Sequence, residues 1–228
     1  MRQEETVADK IRVLVWSEHT APKEMYPHDI NGAVADGLRQ DPASFEVSTA
    51  ELVDPGQGVP EETLARTDVL VWWGHLLHGA VRDETVDRIE RHVKERGMGF
   101  LALHSAHMAK PFTRLIGDDG RIGGVRHNAG PESIKVLAPD HPVAAGVSDF
   151  VIEDEEMYDE EFGCGKPDTV VFHSTFPGGH EFRSGCAYTI GAGRVFYFRP
   201  GHEENPTYYR EDVRRIIRNA VRWCAGRV

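Results

Sequence analysis

Cysteine is scarce in this 228-residue chain. Cys164, Cys186 and Cys224 are an odd number without C-x-x-C spacing, which sets aside a disulfide framework and a cysteine zinc site and reads as free thiols in a reducing compartment. Long apolar runs are missing as well: none approaches the roughly 20 residues that a bilayer core demands, so a membrane is not an expected partner. Basic residues are outnumbered, 26 Lys and Arg against 37 Asp and Glu, for a formal charge of -11. With no Lys/Arg stripe to offset that average, nucleic acid is not expected as a partner either. There is no repeat, low-complexity tract or linker. The polar leader, Met1 to Lys10, is acidic and has no hydrophobic segment, which argues against a signal or transit peptide and for a cytoplasmic location.

What is present is ordinary globular composition, 40% apolar and 28% charged, enough for a single domain over residues 11–228 with a sizeable core. Apolar runs of strand length alternate with amphipathic segments, the pattern of an α/β protein with a mainly parallel sheet. The runs are Ile11 to Trp16, Phe45 to Ala50, Asp68 to Trp73 and Met98 to Leu103. Between the last two, Val86, Ile89 and Val93 share one helical face and Gly97 supplies a stop. Helical character is also expected from Ala106 to Lys110. The stretch from Asp118 to Ser133 is Gly-rich and reads as a loop or insertion, with "SIKVL" as an additional strand. Thr169 to Ser174, Ala187 to Ile190 and Arg194 to Pro200 form a second block, the last two joined as a hairpin through "GAG". A final helix carries Val213, Ile216, Ile217, Ala220 and Val221 as one stripe.

Twelve histidines are many for a chain of this size, and their placement is what points to chemistry. His19, His75, His104, His173 and His202 each fall at or just beyond the carboxyl end of an expected strand. In an open parallel sheet those ends share one edge, where ligands bind near the reversal of strand order. A lone strand-end histidine is commonly structural; a set of them on one rim is a candidate site. His92, His141 and His180 read as structural or solvated.

Two chemistries suit the set. An imidazole near neutral pH, oriented by a carboxylate, is a general acid/base, and Glu18, Glu156 and Glu203 are the available carboxylates. Imidazoles also ligate transition metals such as zinc, with His75, His104 and His202 as the ligand set; the spacings His75-x-x-His78 and His104-x-x-His107 add weaker pairs. Glu153 to Phe162 contains seven acidic residues, and Met157 with Tyr158 inside it suggests that this segment folds back and brings Glu156 with it. Trp16, Trp72 and Trp73, at strand ends, are candidates for stacking on a sugar face, although at least one of the adjacent pair Trp72 and Trp73 is expected to be buried in the core, because neighbours in a strand face opposite ways.

"VLVWWGH", "FLALHSAH", "EEMY", "FRSG" and "FYFRPGHE", in this order and across nearly the whole chain, resemble the trehalose-utilisation family ThuA. That resemblance implies a flavodoxin-like, class I glutamine amidotransferase-like three-layer fold, and a role in breaking down trehalose or related disaccharides alongside a dehydrogenase that forms 3-keto sugars. Amidotransferases place a cysteine at the turn after the "FLAL" strand. Here His104-Ser105 stands there, so a cysteine-dependent glutaminase is not expected, and Ser105 lacks the G-x-S-x-G frame of a nucleophilic serine. One departure from the family concerns a "YP" segment ending in histidine: in "MYPHDINGAV" Asn31 stands at that place, leaving His28 or His19 as substitutes should a metal need one.

The resulting expectation is acid/base conversion, metal-assisted if a metal is present, of a sugar or 3-keto sugar by a sugar isomerase, lyase or hydrolase. His104, Glu156 and His202 are the catalytic set, and Glu18, His75, His107, Tyr158 and Arg199 bind substrate. A homodimer is compatible with the resemblance. The alternative is a non-catalytic sugar-binding or regulatory protein on the same scaffold.

Overall fold

A computed structural model describes residues 10–227; the leader, apart from Lys10, lies outside the described residues. The strands are β1 (Ile11–Ser17), β2 (Phe45–Glu51), β3 (Val69–Trp73), β4 (Gly99–Leu103), β5 (Gly124–Arg126), β6 (Glu132–Val136), β7 (Phe150–Ile152), β8 (Met157–Asp159), β9 (Thr169–Phe176), β10 (His180–Ile190) and β11 (Gly193–Phe198). The helices are α1 (Asp29–Arg39), α2 (Glu61–Leu64), α3 (Asp83–Arg96), α4 (Lys110–Ile116) and α5 (Glu211–Cys224). Nine strands form one sheet in the order β2-β1-β3-β4-β11-β10-β9-β6-β7. Pairings from β2 through to β11 are parallel, and from β11 outward the strands alternate in direction. β5 and β8 form a separate antiparallel ribbon.

Helices cover both faces. On one, Val34 and Leu38 of α1 pack with Ile216 and Ile217 of α5; on the other, Val86 and Ile89 of α3 pack with Phe112 of α4 and the strand residues Leu70 and Phe100. The five apolar residues expected to form a stripe on α5 are all buried, each worth about 1.5–3 kcal/mol for the larger side chains. α3 ends where Gly97 turns left-handed at φ 76°, a conformation that costs glycine little. β3 and β4 are buried along their whole length, as strands covered on both faces must be.

The helical character expected from Ala106 to Lys110 takes the form of a 3₁₀ turn over His104–Met108; Ala109 is extended, and α4 starts at Lys110, with Pro111 in its first turn, where a missing N–H costs nothing. The Gly-rich stretch, expected as a loop or insertion, carries the short strand β5. Trp16, Trp72 and Trp73 are buried to within 1% exposure; Trp16 and Trp72 stack on each other, centroids 3.6 Å apart, and Trp73 donates its indole N–H to the Gly201 carbonyl, so none offers a face to a sugar. α1 was not anticipated, because Gly32, Ala33, Ala35 and Gly37 dilute its apolar stripe.

Candidate functional site

The carboxyl ends of β1, β3, β4 and β11 lie side by side, and the residues following them converge. The ring centroids of His75 and His104 are 6.4 Å apart, His75 and His202 5.7 Å, and His104 and His202 5.4 Å. His104 sits at the corner after β4 with φ 51°, in the left-handed region that non-glycine residues enter rarely and chiefly at functional or strained turns. Its Nδ1 lies 2.9 Å from the Arg199 carbonyl oxygen and donates to it. That fixes the ring and, in the neutral imidazole, leaves the Nε2 lone pair facing inward.

Nε2 of His104 meets two groups from β8 and its approach. The Tyr158 hydroxyl is 3.2 Å away, and Glu156 Oε2 is 3.1 Å away. The carboxylate contact is off the line of a straight hydrogen bond, and Oε2 is buried with no hydrogen-bond partner. Burial pushes the Glu156 carboxyl up, but the His104 imidazole beside it, and after it the His202 and His127 rings, outweigh that when they carry a proton and hold it down at about 2. Glu156 is therefore an anion throughout the neutral range. His202 approaches from β11, its Nε2 3.8 Å from Glu156 Oε1 and 3.6 Å from Glu203 Oε2. Burial, then His104, lowers its affinity for a proton, against the pull of Glu156 and Glu203.

His75 is held differently. Its Nδ1 is hydrogen-bonded to Ser105 Oγ at 2.7 Å, and its Nε2 faces Glu203 Oε1 at 3.2 Å as an ion-pair contact. Glu18 builds the loop beneath it: its carboxylate accepts the backbone N–H groups of His75 at 2.7 Å and Leu77 at 2.9 Å, and that of Leu76 as well. Glu18 thus acts on the loop, with its oxygens turned to backbone amides.

Arg199 is fully buried and pairs with buried Glu132, from Nε at 2.9 Å and through Nη2. It also donates to the Glu156 carbonyl, and its guanidinium lies over the Tyr158 and Phe176 rings. One side chain so fixes Glu156 while its own carbonyl fixes His104. His107 lies deeper: Nδ1 donates to the Gly120 carbonyl at 2.5 Å, the ring stands edge-on to Tyr158, and burial lowers its pKa to about 4. The remaining expected members fall elsewhere. Exposed His19 faces Glu51 at 3.4 Å, while its neighbour Glu18 turns in. His173 faces Glu181, while its neighbour Ser174 donates to Glu132 inside, as alternation along a strand dictates.

Three residues escaped the sequence reading. Glu132 is the anion under Arg199. Glu155 accepts from the backbone N–H of Gly201 at 3.0 Å and of His202 at 3.2 Å, and from Thr207 Oγ1 at 2.7 Å, fixing the turn that presents His202. Gly201 belongs there because a Cβ would strike the Tyr208 hydroxyl at 2.1 Å. His127, 60% exposed, follows β5 and reaches Glu156 Oε1 with Nδ1 at 3.3 Å. No local pattern announces any of the three.

Among the described residues, the groups that bring three ligand atoms within 4.8 Å of one another are His104, Glu156 and His202; His75, His202 and Glu203; and His127, His202 and Glu204. His75 and His104 fall in different groups, and His19, His28, His78 and His107 in none. Neither His-x-x-His pair falls together in one of these groups. The first group fits a divalent transition metal best: two imidazoles and a carboxylate are a zinc-type donor set, and Glu156 Oε2 and His202 Nε2 are buried without hydrogen-bond partners.

No helix among the described residues is long and apolar enough to cross a membrane. The family model described as "ThuA: Trehalose utilisation" matches residues 12–224. No curated protein matches. Solved structures share the fold at low identity. A ThuA-like protein from Parabacteroides merdae is 18% identical with a TM-score of 0.73, covering 96% of this chain and 92% of that one. One from Bacteroides uniformis is 15% identical with a TM-score of 0.71, covering 94% and 91%. A glutamine amidotransferase from Thermotoga maritima is 14% identical with a TM-score of 0.58, covering 95% and 99%.

Proposed function

The chain belongs to the ThuA trehalose-utilisation family, and from that premise we propose that it converts a sugar or 3-keto sugar by acid/base catalysis at His104. The observation that carries this reading is the His104–Glu156 pair: an imidazole locked by the Arg199 carbonyl, its second nitrogen 3.1 Å from an ionised, buried carboxylate. A carbonyl on the sugar acidifies the adjacent C–H. Nε2 of His104 takes that proton, and Glu156 stabilises the imidazolium that results. The Tyr158 hydroxyl, on the same side of the ring, donates to the oxygen on which charge develops. Return of the proton at a neighbouring position isomerises the sugar; departure of a glycosidic oxygen from the carbon beyond completes an elimination.

A second reading is favoured by the unpartnered Glu156 Oε2 and His202 Nε2. His104, Glu156 and His202 would hold a divalent transition metal such as zinc, which when bound polarises a carbonyl oxygen as a Lewis acid. Ligation through Nε2 of His202 needs its proton on Nδ1, where a backbone N–H from Glu204 now approaches at 3.3 Å. The two readings compete for one atom, because the Nε2 lone pair of His104 takes either a proton or an ion.

The test pairs elemental analysis of the purified protein with turnover of 3-keto-trehalose before and after chelation. Metal-independent turnover that falls in His104→Asn supports the acid/base reading. A stoichiometric metal whose removal abolishes turnover supports the second. Binding of sugars without turnover would overturn both in favour of a non-catalytic sugar-binding protein.

A further inference from the structure

We propose that Ser105 is an activated nucleophile for acyl transfer from carboxylic esters, with His75 as its base and Glu203 holding the imidazole. Ser105 follows the left-handed corner at His104, the strand-to-helix turn from which nucleophiles project in α/β folds. Its Oγ lies 2.7 Å from Nδ1 of His75, and Nε2 of the same ring lies 3.2 Å from Glu203 Oε1. A carboxylate beside Nε2 favours the tautomer protonated there, which leaves the Nδ1 lone pair for the serine O–H. Nucleophile, imidazole and carboxylate thus stand in the order that acyl transfer requires. They come from the ends of three different strands, β4, β3 and β11.

The constellation is preorganised. Three backbone amides on Glu18 fix the loop bearing His75, and Glu155 pins the Gly201-His202 turn just before Glu203. The left-handed residue of the corner is His104, and Ser105 stands one residue past it in the 3₁₀ turn His104–Met108. The chemistry uses neither ring nitrogen of His104 nor the Glu156 carboxylate, and Tyr158 is the one side chain that borders both sets.

In the reaction, Oγ bonds to the ester carbonyl carbon as its proton passes to Nδ1 of His75, and the carbonyl π pair moves onto oxygen. The Tyr158 hydroxyl, 3.2 Å from Oγ, is the donor beside that oxygen. Collapse breaks the bond to the alcohol, which leaves with the proton from His75. Water then gives a proton to the same nitrogen and attacks the acyl-serine. The carboxylic acid departs and Ser105 recovers its proton.

The experiment is reaction of the full chain with a fluorophosphonate, followed by intact mass and peptide mapping. The expected result is one adduct on Ser105, absent in Ser105→Ala and formed at least tenfold more slowly in His75→Gln, with Glu203→Gln also slowed; melting curves confirm that each variant is folded. An unmodified Ser105 in the wild type, or a His75→Gln rate equal to wild type, overturns the proposal. If His75→Gln does not fold, Glu203→Gln decides it by the same criterion. Labelling reads Ser105 alone, so its outcome is independent of the keto-sugar assays.

Discussion

Arg199 and Glu132 meet as a fully buried ion pair beneath the site, and the same guanidinium donates to the carbonyl of Glu156. Removing one partner strands the other charge, at a cost of about 3–5 kcal/mol. Arg199→Met and Glu132→Leu are therefore each expected to lower unfolding free energy in urea by about that amount. The double variant should recover much of the loss, because two apolar side chains leave no orphan charge. Turnover should not recover with it, since Glu156 has lost its anchor. Additive single effects in the double variant would contradict this.

Glu18 holds the His75 loop by charge-assisted bonds to three amides. Glu18→Gln offers one acceptor oxygen and turns an N–H₂ toward the amides, so a loss of about 2–3 kcal/mol is expected. Hydrogen exchange should show faster exchange at His75 to Leu77, and fluorophosphonate labelling at Ser105 should slow. Unchanged exchange there would count against the clamp.

His107 gives the fold an acid sensitivity. Its folded pKa of about 4 lies below the ordinary 6.5, so between those values the unfolded chain binds the extra proton. Stability is intact above pH 6.5 and is lost as pH falls toward 4, by about 3 kcal/mol if the whole shift is expressed. His107→Leu should lower Tm at neutral pH, because the Gly120 carbonyl loses its donor, yet flatten the decline of Tm between pH 6.5 and 4. A decline as steep as wild type would exclude His107 as its source.

The helices α3 and α5 were legible in the sequence because their apolar spacing is clean and Gly97 ends α3 in a left-handed conformation that only glycine adopts at little cost. The meeting of His75, His104 and His202 was legible because parallel strands present their carboxyl ends on one edge. Parity was harder. Whether Glu18 or His19, Ser174 or His173, turns inward depends on where the strand ends to within one residue, and no pattern fixes that. Glu132, Glu155 and His127 were illegible for a different reason: they reach the site through the pairing of β6 with β9 and of β5 with β8, contacts between segments far apart in the chain.

The central claim, that Nε2 of His104 moves a proton on the sugar, is tested most directly by incubating the protein with 3-keto-trehalose in D₂O and following deuterium entry by NMR. His104→Asn suits the comparison, since asparagine tolerates the left-handed backbone and can still donate to the Arg199 carbonyl. Deuterium should enter next to the carbonyl with wild type and about 10²–10⁴-fold more slowly with the variant. Exchange at equal rates in the two proteins would contradict the account.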